Sequence, residues 1–419
     1  MTPPQGTFVT GLVCLKCGKR VPDGNVQTCP VCGSEGILDV HYDYDRVAAR
    51  LGRESLACRS YDHWRYAELL PVLPAAGRPP LRVGWTPVYE APRLAADVHA
   101  ARLYLKDDGR NPTSSFKDRA SSVGVMKALE FGARTIACAS TGNAASSLAG
   151  LAASVGLRSV IFIPERAPAP KVAQLLVFGA TVVRVAGSYE QAFELCACAC
   201  AKFGWYNRNS GTNPFLVEGK KTAGLEIAEQ FGPAIPDWVV VSVGDGCTIG
   251  GIGKGLREMH RLGFIPRVPR LLGVQAENAS PLVTAFRAGA PLVPVRAETL
   301  ADSIAVGTPR NWRRALAAVS GSGGSMIAVS DAEILDAMRA TARLGGVFGE
   351  PAGVAGVAGL RRAIADGVVG RAESAVVVIT GNGLKDTESA RMAGGEPVNV
   401  APDIGSLERI LAAKGVSLA

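Results

Sequence analysis

No stretch of the 419 residues reaches the roughly 18 consecutive apolar positions that a membrane-spanning helix needs. The opening Met1-Thr2-Pro3-Pro4-Gln5-Gly6 lacks the charged start and apolar run of a secretory leader, so a cytoplasmic protein with no membrane partner is expected. Basic runs interleaved with aromatics are missing too. The net charge of +8 comes from lysines and arginines scattered along the chain, which leaves no nucleic-acid footprint but suits anionic small molecules. Neither Gly-x-x-x-x-Gly-Lys-Ser/Thr nor a spaced Gly-x-Gly-x-x-Gly occurs, which removes the common nucleotide-binding motifs. Charged residues make up only 20% against 47% hydrophobic ones, a balance that argues against disorder and for a large core shared by two or more domains.

Ten cysteines are present, but not as a disulfide framework. Cys14 and Cys17 form one Cys-x-x-Cys pair, Cys29 and Cys32 another, each followed by a glycine that lets backbone N–H groups turn towards sulfur. Four thiolates at this spacing suit a structural tetrahedral zinc ion and leave no coordination position for a catalytic water. Redox dithiols, or a ribbon that has lost its metal, are the competing readings, although no thioredoxin-like βαβ pattern surrounds the pairs. Only Lys16, Lys19 and Arg20 add positive charge nearby, so a packing or interface role is expected for the ribbon. Cys196, Cys198 and Cys200 sit at spacing two in a helical stretch and are read as small buried fillers.

The chain divides into a ribbon at 1–42, a helical and then proline-rich linker at 43–84, and a main body at 85–419, whose smaller subdomain covers about 115–215. In the body short apolar strands alternate with helices: strands at 102–106, 134–139, 159–163 and 181–185, helices at 117–131, 143–155, 169–178 and 189–203. A second series has a helix at 220–231 and strands at 238–243 and 375–380. Such alternation predicts an α/β fold of two open units with mainly parallel sheets, which bind ligands at the carboxyl ends of their strands.

Gly109-Arg110-Asn111-Pro112-Thr113-Ser114-Ser115-Phe116-Lys117-Asp118-Arg119 joins a turn to a helix-compatible run, which places Lys117 at a helix N-terminus. The positive end of a helix dipole favours a neutral amine, and a neutral lysine amine condenses with carbonyls. A solvated surface lysine in a first helical turn is the plain alternative. Ser140-Thr141-Gly142-Asn143 closes a strand and opens a helix, so its hydroxyls and N–H groups suit an anion, or form an ordinary cap. Gly244-Asp245-Gly246-Cys247-Thr248 repeats the strand, glycine loop and helix arrangement suited to a phosphate dianion, or makes a tight turn. Thr380 ends a buried strand ahead of Gly381-Asn382-Gly383.

These segments, together with Gly84-Trp85-Thr86-Pro87, Glu218-Gly219-Lys220-Lys221-Thr222 and Glu350-Pro351-Ala352-Gly353, resemble in order the fold type II pyridoxal-phosphate enzymes (tryptophan synthase β-like), most closely the threonine synthases of plant and archaeal type. The resemblance implies a pyridoxal 5'-phosphate cofactor held by Lys117 beside Phe116. It implies Asn143 at the cofactor's ring hydroxyl, Gly244, Asp245, Gly246, Cys247 and Thr248 around its phosphate, and Thr380 at its ring nitrogen. Ser140, Thr141, Gly142, Asn209 and Ser210 would receive an amino-acid substrate. An aspartate at position 245 would have to point away from the phosphate. The implied reaction converts O-phosphohomoserine and water to threonine and phosphate, in a homodimer.

Two departures bear on the substrate. Where these enzymes carry an arginine that grips the substrate phosphate, the chain has Phe215 and Leu216, and Ala144 replaces a threonine. Ala301-Asp302-Ser303-Ile304-Ala305-Val306 resembles a segment of the serine/threonine dehydratases. The alternatives are therefore a β-eliminating or β-replacing lyase acting on another amino acid, and a non-catalytic binding protein of the same fold.

Overall fold

The computed structural model describes residues 6–74, 77–165 and 169–416; Met1 to Gln5, on which the reading of the chain's start rested, lie outside them. Strands are numbered in chain order. β1 (Val9–Cys14), β2 (Arg20–Val21) and β3 (Leu38–Tyr42) form an antiparallel ribbon in the order β2-β1-β3. The next segment, through Trp64, Tyr66, Leu69 and Leu70, is buried in the same apolar core as the ribbon and the main sheet.

β4 (Val88–Glu90) and β5 (Arg102–Asp107) begin the large sheet, and the chain then leaves it to build a second one. That smaller sheet contains β6 (Thr135–Ala139), β7 (Arg158–Pro164), β8 (Thr181–Val185) and β9 (Tyr206–Asn207), all parallel, in the order β8-β7-β6-β9. The chain returns with β10 (Trp238–Ser242), β11 (Arg270–Ala276), β12 (Ser325–Val329) and β13 (Ser374–Ile379) to complete β12-β11-β10-β13-β5-β4, in which only the β4–β5 pair is antiparallel. Every residue of β6 and β10 is buried, which is why these strands read as unbroken apolar runs: helices cover both faces of a parallel sheet. The two open α/β units expected from the sequence are present.

The units meet along three helices. The helix Phe215–Phe231 lies between Lys117–Glu130 and Cys247–Arg261 at backbone contact distance. A Cβ on Gly219 would stand 2.1 Å from the Arg119 carbonyl oxygen, one on Gly224 2.3 Å from that of Ile252, and one on Gly255 2.3 Å from that of Lys221. The middle helix starts at Phe215 behind Pro214, one turn before the expected 220, because proline is well tolerated where N–H groups lack helical partners. In the helix Tyr189–Phe203, Cys196 and Cys200 are buried as expected, whereas Cys198 is exposed: a spacing of two puts it on the opposite face. Among the described residues no helix is long and apolar enough to cross a membrane.

Candidate active site

The helix at Lys117 begins where the sequence places it, and the turn before it is held at both ends. Ser114 adopts a left-handed φ of +65°, uncommon for a residue with a side chain. Its N–H donates to the Asn111 carbonyl at 2.8 Å, and its own carbonyl accepts from Asn382 N–H at 3.1 Å. The Phe116 N–H donates to the Thr380 carbonyl at 2.8 Å, so the lysine is stitched to the end of β13. The two residues after it turn inward. Asp118 accepts from the Thr113 N–H at 2.6 Å, and Arg119 pairs with Asp108 at 2.6 Å and Glu226 at 2.5 Å, all three fully buried. Of the Lys-Asp-Arg triplet it is Lys117 that lines the cavity at the strand ends.

That cavity, about 800 Å³, lies where β6, β10 and β13 end. It gathers Phe116 and Lys117, the Ser140–Asn143 loop, Asn209 and Ser210, the Gly244–Thr248 loop, and Thr380. Every residue to which the sequence gave a cofactor or substrate role lines it. Both helices that start at its wall, Asn143–Ser154 and Cys247–Arg261, follow a glycine, and no side chain caps either of them. Their first-turn N–H groups lack partners within the helix and supply two anion-binding ends. Gly246, at φ +93°, presses on the Asn311 carbonyl oxygen, 3.0 Å from a would-be Cβ, so the loop wall admits no larger residue. The Asp245 carboxylate is engaged by its neighbours: it accepts from Arg310 N–H at 2.8 Å and from the Asn311 amide at 2.7 Å.

Burial first, and then the neighbouring Lys220, lower the Lys117 amine to about 8 against the opposing pull of Cys247 and Glu350. Asn143 donates its amide to Glu350 at 2.7 Å, which fixes the orientation of its side chain. Asn209 lines the cavity but spends its amide on structure: its oxygen accepts from Ala139 N–H at 3.0 Å and its nitrogen donates to Cys196 sulfur at 3.7 Å. Sequence reasoning assigned no role to three side chains here, although it singled out the segments that hold two of them, Glu350 and Lys220. Glu350 is the orienting partner just described. Lys220 is buried, with Nζ donating to Cys247 Sγ in the glycine loop. Arg208 is 1% exposed, lines the cavity, and is lowered from its usual value by burial. The Glu-Gly-Lys-Lys segment did signal Lys220, but helical geometry splits it: Glu218 and Lys221, three apart, share a face turned to the ribbon.

Anionic pyridoxal phosphate fits this cavity, where Lys117, Lys220 and Arg208 bring positive charge beside a glycine loop and two open helix starts. In the ribbon the four sulfurs of Cys14, Cys17, Cys29 and Cys32 lie within 4.8 Å of one another. Gly36 closes around them, since a Cβ there would stand 2.5 Å from Cys29 Cβ and 2.7 Å from Cys32 Cβ. A hydrogen bond with Cys17, joined by burial, pushes the Cys32 thiol up to about 12; such crowded thiols resist ionising together, a cost that a divalent cation removes. The ribbon packs through charge as well as apolar contact. Tyr42 donates to Glu218 at 2.7 Å, Glu218 pairs with Lys221 at 2.6 Å and Lys254 at 2.8 Å, and Lys254 reaches Asp39 at 3.2 Å.

Residues 80–381 match the family described as pyridoxal-phosphate dependent enzyme. A threonine synthase of Methanocaldococcus jannaschii is 39% identical over 402 residues, 95% of this chain and 98% of that protein. One of Methanosarcina acetivorans is 40% identical over 409 residues, 96% of this chain and 99% of that protein. Among solved structures, the processed form of threonine deaminase isoform 2 from Solanum lycopersicum matches at a TM-score of 0.65 with 21% identity, over 74% of this chain and 87% of that one. Maize serine racemase matches at 0.64 with 21% identity, over 78% and 92%. The chain belongs to the pyridoxal-phosphate dependent enzymes of fold type II. Within them it is a member of the threonine synthase family, a pyridoxal-phosphate dependent lyase.

Proposed function

We propose that the enzyme converts O-phosphohomoserine and water to threonine and phosphate. The observation that carries this reading is the convergence, in one cavity, of a lysine amine brought to about 8 with two uncapped helix starts set for two anions. Pyridoxal phosphate, when bound, supplies the electron sink that stabilises charge developing at the substrate's α-carbon. Lys117 holds it; with an amine lowered to about 8, this lysine then moves protons at Cα and Cβ of the substrate. Gly244, Asp245, Gly246, Cys247 and Thr248 offer backbone N–H groups to the cofactor phosphate, backed by Lys220. Asn143, oriented by Glu350, faces the ring hydroxyl, Phe116 flanks the lysine, and Thr380 offers its hydroxyl to the ring nitrogen. Ser140, Thr141 and Gly142 receive the substrate carboxylate at the second helix start. Asn209 and Ser210 shape the far wall, Asn209 by bracing the end of β6.

The same reading includes structural zinc on Cys14, Cys17, Cys29 and Cys32, a ribbon unit at 1–42, a connecting segment at 43–84, a catalytic body at 85–419, and a cytoplasmic homodimer. The crowding of the four sulfurs supports the zinc.

The test offers purified enzyme O-phosphohomoserine, L-serine and L-threonine and follows phosphate, threonine and 2-oxo acid together. Phosphate and threonine in equal amounts are expected; 2-oxo acid from serine or threonine without phosphate release overturns the reading in favour of a dehydratase.

A further inference from the structure

Arg208 is unlike the other buried arginines of the enzyme. Arg65 pairs with Glu229 at 2.7 Å, Arg119 with Asp108 and Glu226, and Arg314 with Asp39. Arg208 is as buried as these, yet its hydrogen bonds go only to hydroxyls: Nε and Nη2 donate to Ser121 Oγ at 3.1 and 2.9 Å, and Nη1 donates to Ser210 Oγ at 3.3 Å. No carboxylate among the described residues pairs with it. Asp118, the carboxylate that acts on it through charge, has its oxygens taken by Thr113. Hydroxyls orient a guanidinium without neutralising it, and a buried charge left without a counter-ion is costly. Such a group sits on a cavity wall to meet an anion that arrives.

The other anion seats of the cavity are accounted for: the Gly244–Thr248 loop with Lys220 for the cofactor phosphate, and the Ser140–Asn143 helix start for the substrate carboxylate. Arg310, another arginine on the wall, is exposed and lies over the Phe193 ring at 4.1 Å. We infer that Arg208 is the specificity residue that grips a third anion, the phosphate ester carried by the substrate side chain. Leu216 stands beside its stem, because a Cβ on Gly124 would lie 2.6 Å from Leu216 Cδ2 and 3.8 Å from Arg208 Cγ. A guanidinium thus enters this corner from the loop after β9, while the helix contributes only an apolar side chain. A bidentate, charge-assisted grip on phosphate is what a planar guanidinium supplies and an ammonium does not. The assignment rests on the reaction proposed above.

The test compares wild-type holoenzyme with Arg208→Gln and Arg208→Lys, using inorganic phosphate as the probe. For Arg208→Gln, KM for O-phosphohomoserine and the dissociation constant of inorganic phosphate should both rise roughly 10- to 100-fold, the scale of one charge-assisted bond, and Arg208→Lys should recover only part. Cofactor affinity and its visible absorbance band should be retained, which also shows that the variants fold. Ser121→Ala, which removes the hydroxyl but leaves the charge, should keep phosphate binding. Loss of cofactor affinity with unchanged phosphate binding would overturn the inference by placing Arg208 on the cofactor. Unchanged KM and phosphate binding, or Ser121→Ala matching Arg208→Gln in both, would overturn it by making the role structural. If wild type does not turn over O-phosphohomoserine, the reaction reading fails by itself, and calorimetric phosphate binding to the wild-type and Arg208→Gln holoenzymes still decides on Arg208.

Discussion

Asp39 of the ribbon and Arg314 of the helix Trp312–Gly321 form an ion pair that connects the four-cysteine ribbon to the Gly244–Thr248 loop. Arg314 also donates to the Leu38 carbonyl at 2.7 Å and, through Nε, to Asn311 at 3.3 Å; Asn311 in turn holds Asp245 at 2.7 Å. Two side chains, Arg314 and Asn311, therefore connect Asp39 of the ribbon to Asp245 of the glycine turn. Burial opposes ionisation of Asp39, but Lys254 and Arg314 outweigh it and hold the carboxyl well below its usual range. Asp39→Asn should cost about 3–5 kcal/mol, the scale for breaking a buried pair from one side, and should loosen pyridoxal phosphate binding in the same protein. Urea unfolding and a cofactor titration check both; a stability loss without any change in cofactor affinity would break the proposed connection.

Lys117 sets the pH dependence of cofactor capture. An ordinary lysine is neutral only well above pH 10, whereas this one, at about 8, loses its proton near physiological pH. The rate at which apoenzyme develops the visible cofactor band should rise with pH up to a midpoint near 8 and fall about tenfold for each unit below it. Lys117→Ala should abolish the band, and stopped-flow absorbance reads both.

Arg119 is held between Asp108 and Glu226, and Arg119→Met leaves the buried Asp108 without its cation and Glu226 with Lys106 alone. A loss of about 3–5 kcal/mol is expected in chemical denaturation. The pair also fixes the acid limb. Burial opposes the charge on Glu226, but Arg119 and Lys106 hold its folded-state pKa well below the ordinary carboxylate value. Its stabilising contribution is fully present above the unfolded value of about 4.3 and disappears as pH falls from there through the folded value. Wild type should show this drop below about pH 4, and the variant a smaller one.

Gly219→Ala forces a methyl group to within 2.1 Å of a backbone oxygen. The two helices must part, at a cost of about 1–3 kcal/mol or more, and because one of them carries Lys117, kcat should fall as well. Melting temperature and steady-state rates measure the two effects.

Purified enzyme should contain one zinc per chain. Cys29→Ser, or prolonged chelation, should release it and lower the melting temperature, since metal binding of this type contributes directly to folding. Metal analysis by mass spectrometry beside calorimetry tests this, and a metal-free protein of unchanged stability would refute it.

Much of the fold was legible because its signals are local. Unbroken valines in β10, a turn before Lys117, and glycine loops at strand ends each report on a few neighbouring residues. What escaped depends on residues far apart in the chain. Nothing near Arg208 says that it will be buried without a carboxylate, because Ser121 lies 87 positions away. The same holds for Glu350, which meets Asn143 across 207 residues. Glu218 and Lys221 belong to one of the segments that carry the resemblance, and only their contacts with Tyr42 and Lys254 show that they serve the ribbon. The early start at Phe215 was lost because Pro214 reads as a break when its place at a helix end is not known.

The glycine seam between the three central helices has a bearing on how the enzyme can change over time. The helix that begins at Lys117 and the helix Cys247–Arg261 that follows the glycine loop are both seated on the Phe215–Phe231 helix by main-chain contact, with Gly219, Gly224 and Gly255 marking where they touch. The spacing between Lys117 and the glycine loop is thus set by the backbone where these helices touch. Mutations can drift through the cavity walls, Arg208 included, and alter which amino acid is accepted while the gauge of the chemical machinery stays fixed.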